Sequence, residues 1–132
     1  MTRQTKRDTG IRQAIREAAL GPAHSGEDET TGRYRFEADF PGFDGHFPGY
    51  PVLPAVVQML TAALLAEEFA GVPLRLARVE RARFLVQLRP GQEITVSCRR
   101  RGSDAPVFDA ALEADGEEAA SFRMVFAAGD EE

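Results

Sequence analysis

Residues 54–71 read PAVVQMLTAALLAEEFAG, and this stretch decides the fold. Apolar side chains fill nearly every turn before Glu67, so the pattern predicts a helix that is apolar almost all round and therefore buried. Pro54 suits the first turn of a helix, and Gly71 with Pro73 ends it. We expect this helix to be the centre of the fold.

The segments around the helix alternate between apolar and polar residues with a period of two, which predicts strands. After the helix, four segments follow this pattern: residues 74–88, 93–101, 107–114 and 118–127. Before the helix, a strand begins at residue 33 and has one face formed by Tyr34, Phe36, Ala38 and Phe40. One antiparallel sheet must then cover one long helix, an α+β arrangement with an open sheet edge. Pairing of edges in a dimer would cover that edge.

The N-terminal part predicts an amphipathic helix over about residues 8–20, because Ile11, Ala14 and Ile15 recur at helical spacing. Gly21 and Pro22 end this helix, and residues 23–30 predict a polar loop. We expect a single domain over residues 1–132, with its core at about residues 31–127.

Composition narrows the class of protein. The chain has 132 residues, 43% of them hydrophobic, which is ordinary for a soluble globular domain. No apolar run is long enough to span a bilayer and residues 1–8 contain no apolar signal core, so we expect no membrane span and a cytoplasmic location. The net charge of −5 argues against nucleic-acid binding. The single cysteine, Cys98, excludes an internal disulfide and is expected to be a small buried strand residue.

Positive charge is nevertheless concentrated in residues 75–101, which hold eight arginines and two glutamates. A basic surface on an acidic protein suits a specific acidic partner. A solvated strand face of alternating charges explains the same pattern equally well.

The residues before the central helix carry the chemistry. Residues 45–54 read GHFPGYPVLP, and their two glycines and three prolines fix an irregular segment that enters the helix. The start of a helix offers free N–H groups and the positive end of the dipole, which can hold a carbonyl oxygen that becomes negative during a reaction. We expect the N–H groups of Ala55 and Val56 to do this. His46 can act as a base at neutral pH.

This segment resembles the signature of the 3-hydroxyacyl-acyl-carrier-protein dehydratases, in which His-Phe-Pro-Gly-x-Pro precedes a helix. Residues 54–58, PAVVQ, are most similar to the dehydratase branch associated with aryl polyene lipid synthesis. Two later pieces resemble the family more weakly, namely RFLV with RPGQ at residues 83–92 and DGE at residues 115–117. The resemblance spans about residues 31–127.

The resemblance implies a hot-dog fold, a dimer with two tunnels between its subunits, and an acyl substrate carried on phosphopantetheine, either of acyl carrier protein or of coenzyme A. It implies no metal and no other cofactor. His46 would remove a proton from C2 of the 3-hydroxyacyl thioester, and Ala55 would occupy the glycine position at which the thioester oxygen binds. The residues expected to contact the substrate are Gly49, Pro54, Ala55, Val56, Gln58, Met59 and Leu60.

One departure from the family pattern bears on activity. The family's catalytic acid lies fourteen residues after the histidine, where this chain has Leu60, which cannot donate a proton. The helix acids Glu67 and Glu68 lie about 10 Å further along the axis. Asp44 could replace the acid or only orient the segment, and Gln58 offers a hydrogen bond but no acidic proton.

Three functions therefore stay open. The first is a dehydratase acting on a 3-hydroxyacyl thioester of acyl carrier protein in fatty-acid or polyene-type lipid synthesis. The second is a hot-dog acyl thioesterase, for which Asp44 would activate water. The third is a non-catalytic acyl-binding subunit of a heterodimer whose partner supplies the acid.

Overall fold

The structure, a computed structural model, describes residues 3–43, 51–102 and 106–128. Its helices are α1 (Arg3–Glu17) and α2 (Ala55–Ala70), with a short 3-10 turn at Pro41–Phe43. Its strands are β1 (His24–Ser25), β2 (Glu29–Arg35), β3 (Leu74–Phe84), β4 (Glu93–Arg101), β5 (Val107–Ala114) and β6 (Glu117–Ala128).

The strands form one sheet in the order β1-β2-β4-β5-β6-β3, and every neighbouring pair is antiparallel. Side chains on one face of the sheet are buried against α2, and on the central strands these are Ile94, Val96, Cys98, Phe108, Ala110 and Leu112. The intervening residues of these strands are more exposed, as the period of two predicts. The α+β prediction of one antiparallel sheet on one long helix is confirmed.

Helix α2 begins and ends where the sequence predicts. Pro54 precedes its first residue, and Gly71 closes it with a left-handed φ of 75° while its N–H donates to the Glu67 carbonyl. Ala62, Leu65 and Ala66 are at most 2% exposed. The prediction that α2 is buried almost all round is wrong for its first turn, because Ala55 is exposed and Val56 is 65% exposed. None of the described elements covers that turn in the single chain.

Helix α1 spans Arg3–Glu17 and not residues 8–20. Residues 18–20 keep helical spacing in the sequence, yet their backbone pairs with β2. The Leu20 N–H donates to the Arg33 carbonyl at 2.8 Å, and the Arg35 N–H donates to the Ala18 carbonyl at 2.9 Å. Pairing with the sheet therefore ends the helix one turn early.

The strand predicted from residue 33 is shifted towards the N-terminus. It begins at Glu29, inside the predicted polar loop, because residues 29–35 pair with residues 93–99 of β4. It ends at Arg35 because the chain then turns, and the Phe40 N–H donates to the Glu37 carbonyl at 2.9 Å. Ala38 is consequently exposed, against prediction, whereas Phe36 and Phe40 are buried. At the other edge, β3 ends at Phe84 and not at residue 88.

A row of aromatic rings holds the chain after this turn. The Phe36 and Phe40 ring centroids lie 4.6 Å apart, and those of Phe40 and Phe43 lie 5.8 Å apart, both edge to face. Gly42 lies against this row, and a Cβ atom added to it would be 2.2 Å from the Phe40 ring. A side chain at position 42 would therefore displace a buried phenylalanine.

We predict that Gly42→Ala lowers the free energy of unfolding by about 1–3 kcal/mol, because the added methyl overpacks the ring row. Urea denaturation measures this. Gly26→Ala is the matched control, because its Cβ would approach its nearest neighbour, the Glu29 carbonyl oxygen, only to 3.9 Å. Equal stability of the two variants would contradict the prediction.

Candidate functional site

The segment with the predicted base lies outside the described residues. Residues 44–50 include Asp44, His46 and Gly49, so the roles assigned to these three residues stay predictions. The structure does describe both flanks of the segment. Phe43, on the upstream side, is 6% exposed and contacts Phe40.

The downstream flank is bound to the chain that follows β3. Leu53 is 2% exposed, and its N–H donates to the carbonyl of Leu88 at 2.8 Å. Leu88 is itself fully buried. Phe43 and Leu53, one on each side of the segment with His46 in the sequence, are thus both buried in the core.

The start of α2 has the free amide groups that the sequence predicts. Pro54 is in an extended conformation, with φ −65° and ψ 152°, and no side chain caps the helix. Its carbonyl accepts from the N–H groups of Val57 and Gln58, at 3.0 and 3.1 Å. The N–H groups of Ala55 and Val56 have no acceptor within the described parts of the chain. Two unpaired donors at the positive end of the helix dipole are therefore available to an electron-rich oxygen.

Gln58 is buried just inside this turn, at 4% exposure. Its side-chain Nε2 donates to the Leu53 carbonyl at 3.0 Å, which joins α2 to the segment that precedes it. Its Oε1 is buried, and no group in the described ranges donates a hydrogen bond to it.

Among the residues of α2 that are predicted to contact the substrate, Gln58 is polar and the others are apolar. Met59 and Leu60 are half-buried and pack against the core. Leu60 follows Val56 by four residues, so the two side chains lie on the same face of the helix. Val56 and Leu60 therefore form an apolar ridge that begins at the helix start. Leu60 occupies the position where the family pattern requires a carboxylic acid.

The acids further along α2 do not replace it. The Glu67 carboxylate accepts from the Leu74 N–H at 3.2 Å, at the opposite end of the helix. Glu68, the next residue, is exposed. The sequence-based expectation that these acids lie too far from the helix start agrees with these contacts.

Exposed apolar residues concentrate around the helix start and beside β3. Among the described residues, the large hydrophobic side chains with substantial exposure are Val56 at 65%, Val72 at 54%, Phe84 at 42% and Leu85 at 51%. Strand β3 is an edge strand, with β6 as its one neighbour in the described sheet. An unpaired edge strand with exposed apolar residues at its ends is typical of a surface that another subunit covers.

The basic segment divides into two parts. On β4, Arg99 and Arg101 form exposed ion pairs with Glu29 and Asp109, at 3.5 and 3.2 Å, as a solvated strand face would. On β3, neither Arg81 nor Arg83 has an acid within ion-pair distance among the described residues. Both line a groove of about 460 Å³ together with Arg123. Arg123 pairs with Asp109, which also lines this groove, at 2.9 Å. The acidic-partner interpretation therefore rests on Arg81 and Arg83.

A second cleft, of about 460 Å³, lies between α1, β2 and the C-terminal half of α2, and sequence analysis did not anticipate it. Tyr34, Leu64 and Glu68 line it, and Tyr34 is 6% exposed. Burial raises the pKa of Tyr34 to about 12, with smaller contributions from the charges of Glu68 and Cys98. The hydroxyl is therefore neutral at physiological pH. None of the predicted site residues within the described ranges lines this cleft.

We predict that the ionisation of Tyr34 lowers the stability of the fold at alkaline pH. Its pKa rises from 10.0 to about 12 on folding, so its contribution is complete below pH 10 and is lost as the pH rises towards 12. The difference in unfolding free energy between wild type and Tyr34→Phe should thus shrink between these values, as urea denaturation at several pH values can measure. A difference independent of pH would contradict the assignment.

Cys98 is a core residue, as the sequence predicts. It is fully buried, and its thiol donates weakly to the Ala62 carbonyl at 3.4 Å. Desolvation raises the pKa of the thiol to about 12, which leaves it protonated and unreactive.

The described residues contain no cluster of side chains suited to a metal ion. Neither helix, over the part of the chain that the structure describes, could cross a membrane.

Comparison with known proteins places this site in a family. Residues 23–123 match the model of the ApeI-like family, described as ApeI dehydratase. The 3-hydroxyacyl-[acyl-carrier-protein] dehydratase FabZ of Streptococcus agalactiae is 35% identical over 114 residues, which cover 79% of this chain and 81% of that protein. The chain therefore belongs to the ApeI-like dehydratase family, as its motif predicts.

Solved structures agree on the fold. The dehydratase heterocomplex ApeI:P from Xenorhabdus doucetiae has a chain that matches with a TM-score of 0.74 at 18% identity, covering 82% of this chain and 95% of that one. The PaaI protein of E. coli matches with a TM-score of 0.62 at 16% identity, covering 93% and 94%. The predicted hot-dog fold is confirmed.

Proposed function

We propose that this chain dehydrates a 3-hydroxyacyl thioester carried on the phosphopantetheine arm of acyl carrier protein, in fatty-acid or polyene-type lipid synthesis. The observation that carries the proposal is the uncapped start of α2, where two free N–H groups follow directly on the His46 motif. Membership of a dehydratase family adds to it, since the FabZ relative acts on carrier-linked 3-hydroxyacyl groups.

The chemistry follows from these groups. His46 takes a proton from C2, and the charge that develops on the thioester oxygen is stabilised by the N–H groups of Ala55 and Val56. The C3–oxygen bond breaks, the double bond forms between C2 and C3, and the departing hydroxide with a proton becomes water. Gly49, Pro54, Met59 and Leu60 line the acyl channel.

The leaving group needs the proton that Leu60 cannot give. General acid catalysis contributes about 10²–10⁴ in rate, so a chain that relies on water or on Asp44 is expected to be slow. A second candidate function follows from the leucine at position 60. In it, the chain is the acyl-binding half of a heterodimer whose other subunit supplies the acid.

We also propose a dimer in which a second hot-dog subunit covers the β3 edge. The exposed residues Val56, Val72, Phe84 and Leu85 support it, because they lie on the strand, beside it or at the helix start. The groove at Arg81, Arg83 and Arg123 is the proposed contact for the acidic carrier or for its phosphate. Coenzyme A, which carries the same arm, is the alternative donor of the acyl group.

We predict that the chain interconverts 3-hydroxyacyl- and 2-enoyl-thioesters, and that His46→Ala lowers the rate by at least about 10²-fold through loss of the base. Enoyl absorbance measures the reaction, and a thiol reagent follows release of free thiol. The matched control is His24→Ala, because His24 is the chain's other histidine and is exposed.

An unchanged rate in His46→Ala would exclude His46 as the base. Thiol release without interconversion would identify a thioesterase instead. If both reactions are absent while an acylated carrier protein still binds, the chain is the binding subunit.

We predict that Leu60→Glu accelerates the hydration and dehydration reactions by at least about tenfold, because it restores a proton donor at the family's acid position. Leu60→Gln is the matched control, since it has nearly the same shape and polarity and no acidic proton. Equal rates for the two variants would show that position 60 does not face the reacting hydroxyl.

A further inference from the structure

The cleft between α1, β2 and the C-terminal half of α2 contains a buried polar group without a partner. Tyr34 lines this cleft and is 6% exposed. Within residues 3–43, 51–102 and 106–128, no group forms a hydrogen bond with the Tyr34 hydroxyl. Buried polar groups are almost always paired, because an unmade hydrogen bond is costly. The hydroxyl is therefore available to a ligand in the cleft.

Gly32 keeps the space at this hydroxyl open. It also lines the cleft, and a Cβ atom added to it would lie 3.1 Å from Tyr34 Cε1 and 3.4 Å from Tyr34 Oη. A side chain at position 32 would therefore fill the space beside the hydroxyl. The cleft, of about 460 Å³, adjoins another of about 370 Å³ that shares four of its lining residues, Glu68 among them. Both volumes fall in the range of small-molecule sites, about 300–1,000 Å³.

The charges around the cleft favour a cation. Glu67 and Glu68 line it from the last turn of α2, where the helix dipole is already negative and no basic residue offsets them. Arg33 also lines the cleft, but it pairs with Glu93 at 2.9 Å. The remaining cation is Arg16, which is exposed in the last turn of α1, where the negative end of that helix offsets its charge.

Of the two acids, Glu68 is the one available to a ligand. The Glu67 carboxylate accepts from the Leu74 N–H at 3.2 Å. Glu68 is exposed, and no cation lies within ion-pair distance of it in the described ranges. Burial is the main cause of the raised pKa of Tyr34, and the charge of Glu68 is the next. The carboxylate and the hydroxyl therefore lie close enough to interact with one ligand.

We propose that this cleft binds an aliphatic amine in its ammonium form, with the Glu68 carboxylate and the Tyr34 hydroxyl oxygen as acceptors. An ammonium group has three donors and no acceptor, so it matches both oxygens. A carboxylate would be repelled by Glu68, and an alcohol would leave the charge of Glu68 without a counter-ion. The hydrocarbon part would lie on the apolar side chains of the lining, namely Ile15, Ala19, Pro22, Leu64 and Leu65.

The proposed amine site is separate from the proposed thioester site. Glu68 follows Ala55 by thirteen residues on one helix, which places them about 20 Å apart along the axis. The amine proposal therefore does not rest on the dehydratase proposal. Binding of an amine is measured without any thioester, so failure of one proposal is distinguishable from failure of the other.

Three probes of equal chain length test the head group: hexylamine, hexanol and hexanoate at pH 7. Titration followed by amide chemical shifts measures each Kd and locates each probe. We expect hexylamine to shift residues of the cleft lining and to bind at least about tenfold more tightly than the other two, because only the ammonium pairs with Glu68. Hexanol or hexanoate binding as tightly as hexylamine, or hexylamine shifts outside the cleft, would overturn the proposal.

Substitutions then test the two acceptors. Glu68→Gln should raise the Kd of hexylamine by about tenfold, and Tyr34→Phe by about threefold, because each loses one hydrogen bond to the ammonium. Glu113→Gln is the matched control, since Glu113 is exposed on β5 and its loss changes the net charge equally. Equal Kd values in Glu68→Gln and Glu113→Gln would overturn the assignment of Glu68.

Discussion

The structure depends on the way in which α2 is buried. The antiparallel sheet covers the helix from Val57 onwards, and an apolar helix can be buried so deeply because its backbone groups bond to one another. That solution fails at the helix start, where the first N–H groups have no partner of their own. Pro54 adds no capping side chain, so the fold leaves an exposed, positively polarised end that follows the His46 motif in the sequence.

Much of the fold follows from local pattern. Pro54 and Gly71 bound α2 correctly, and the period of two locates β4 and β5 to the residue, because both are governed by side chains near in sequence. The errors arise where backbone pairing with a segment distant in sequence overrides the local pattern. Residues 18–20 leave a helical pattern to pair with β2, and Ala38 falls in a turn that alternation cannot reveal. The exposed Val56 reflects the same limit, since burial depends on which element lies opposite.

The candidate site also has features that the sequence predicts and features that it does not. The spacing of the motif identifies His46, the amide groups of Ala55 and Val56, and the leucine in place of the acid, all of which are matters of residue type and distance along the chain. The hydrogen bond between Leu53 and Leu88 could not be predicted, because it joins residues more than thirty positions apart through backbone groups that every sequence has. Under the proposed function, the chain keeps the base and the electrostatic half of a dehydratase and lacks its proton donor, which separates the binding of the developing oxyanion from the departure of hydroxide.

The most direct measurement is a crystal structure of the chain bound to an unreactive amide analogue of a 3-hydroxyacyl-pantetheine. The account predicts that the analogue's carbonyl oxygen lies about 3 Å from the Ala55 or Val56 nitrogen, with the imidazole of His46 facing C2. An imidazole directed into solvent, or an analogue bound in the cleft beside Tyr34 instead, would contradict it.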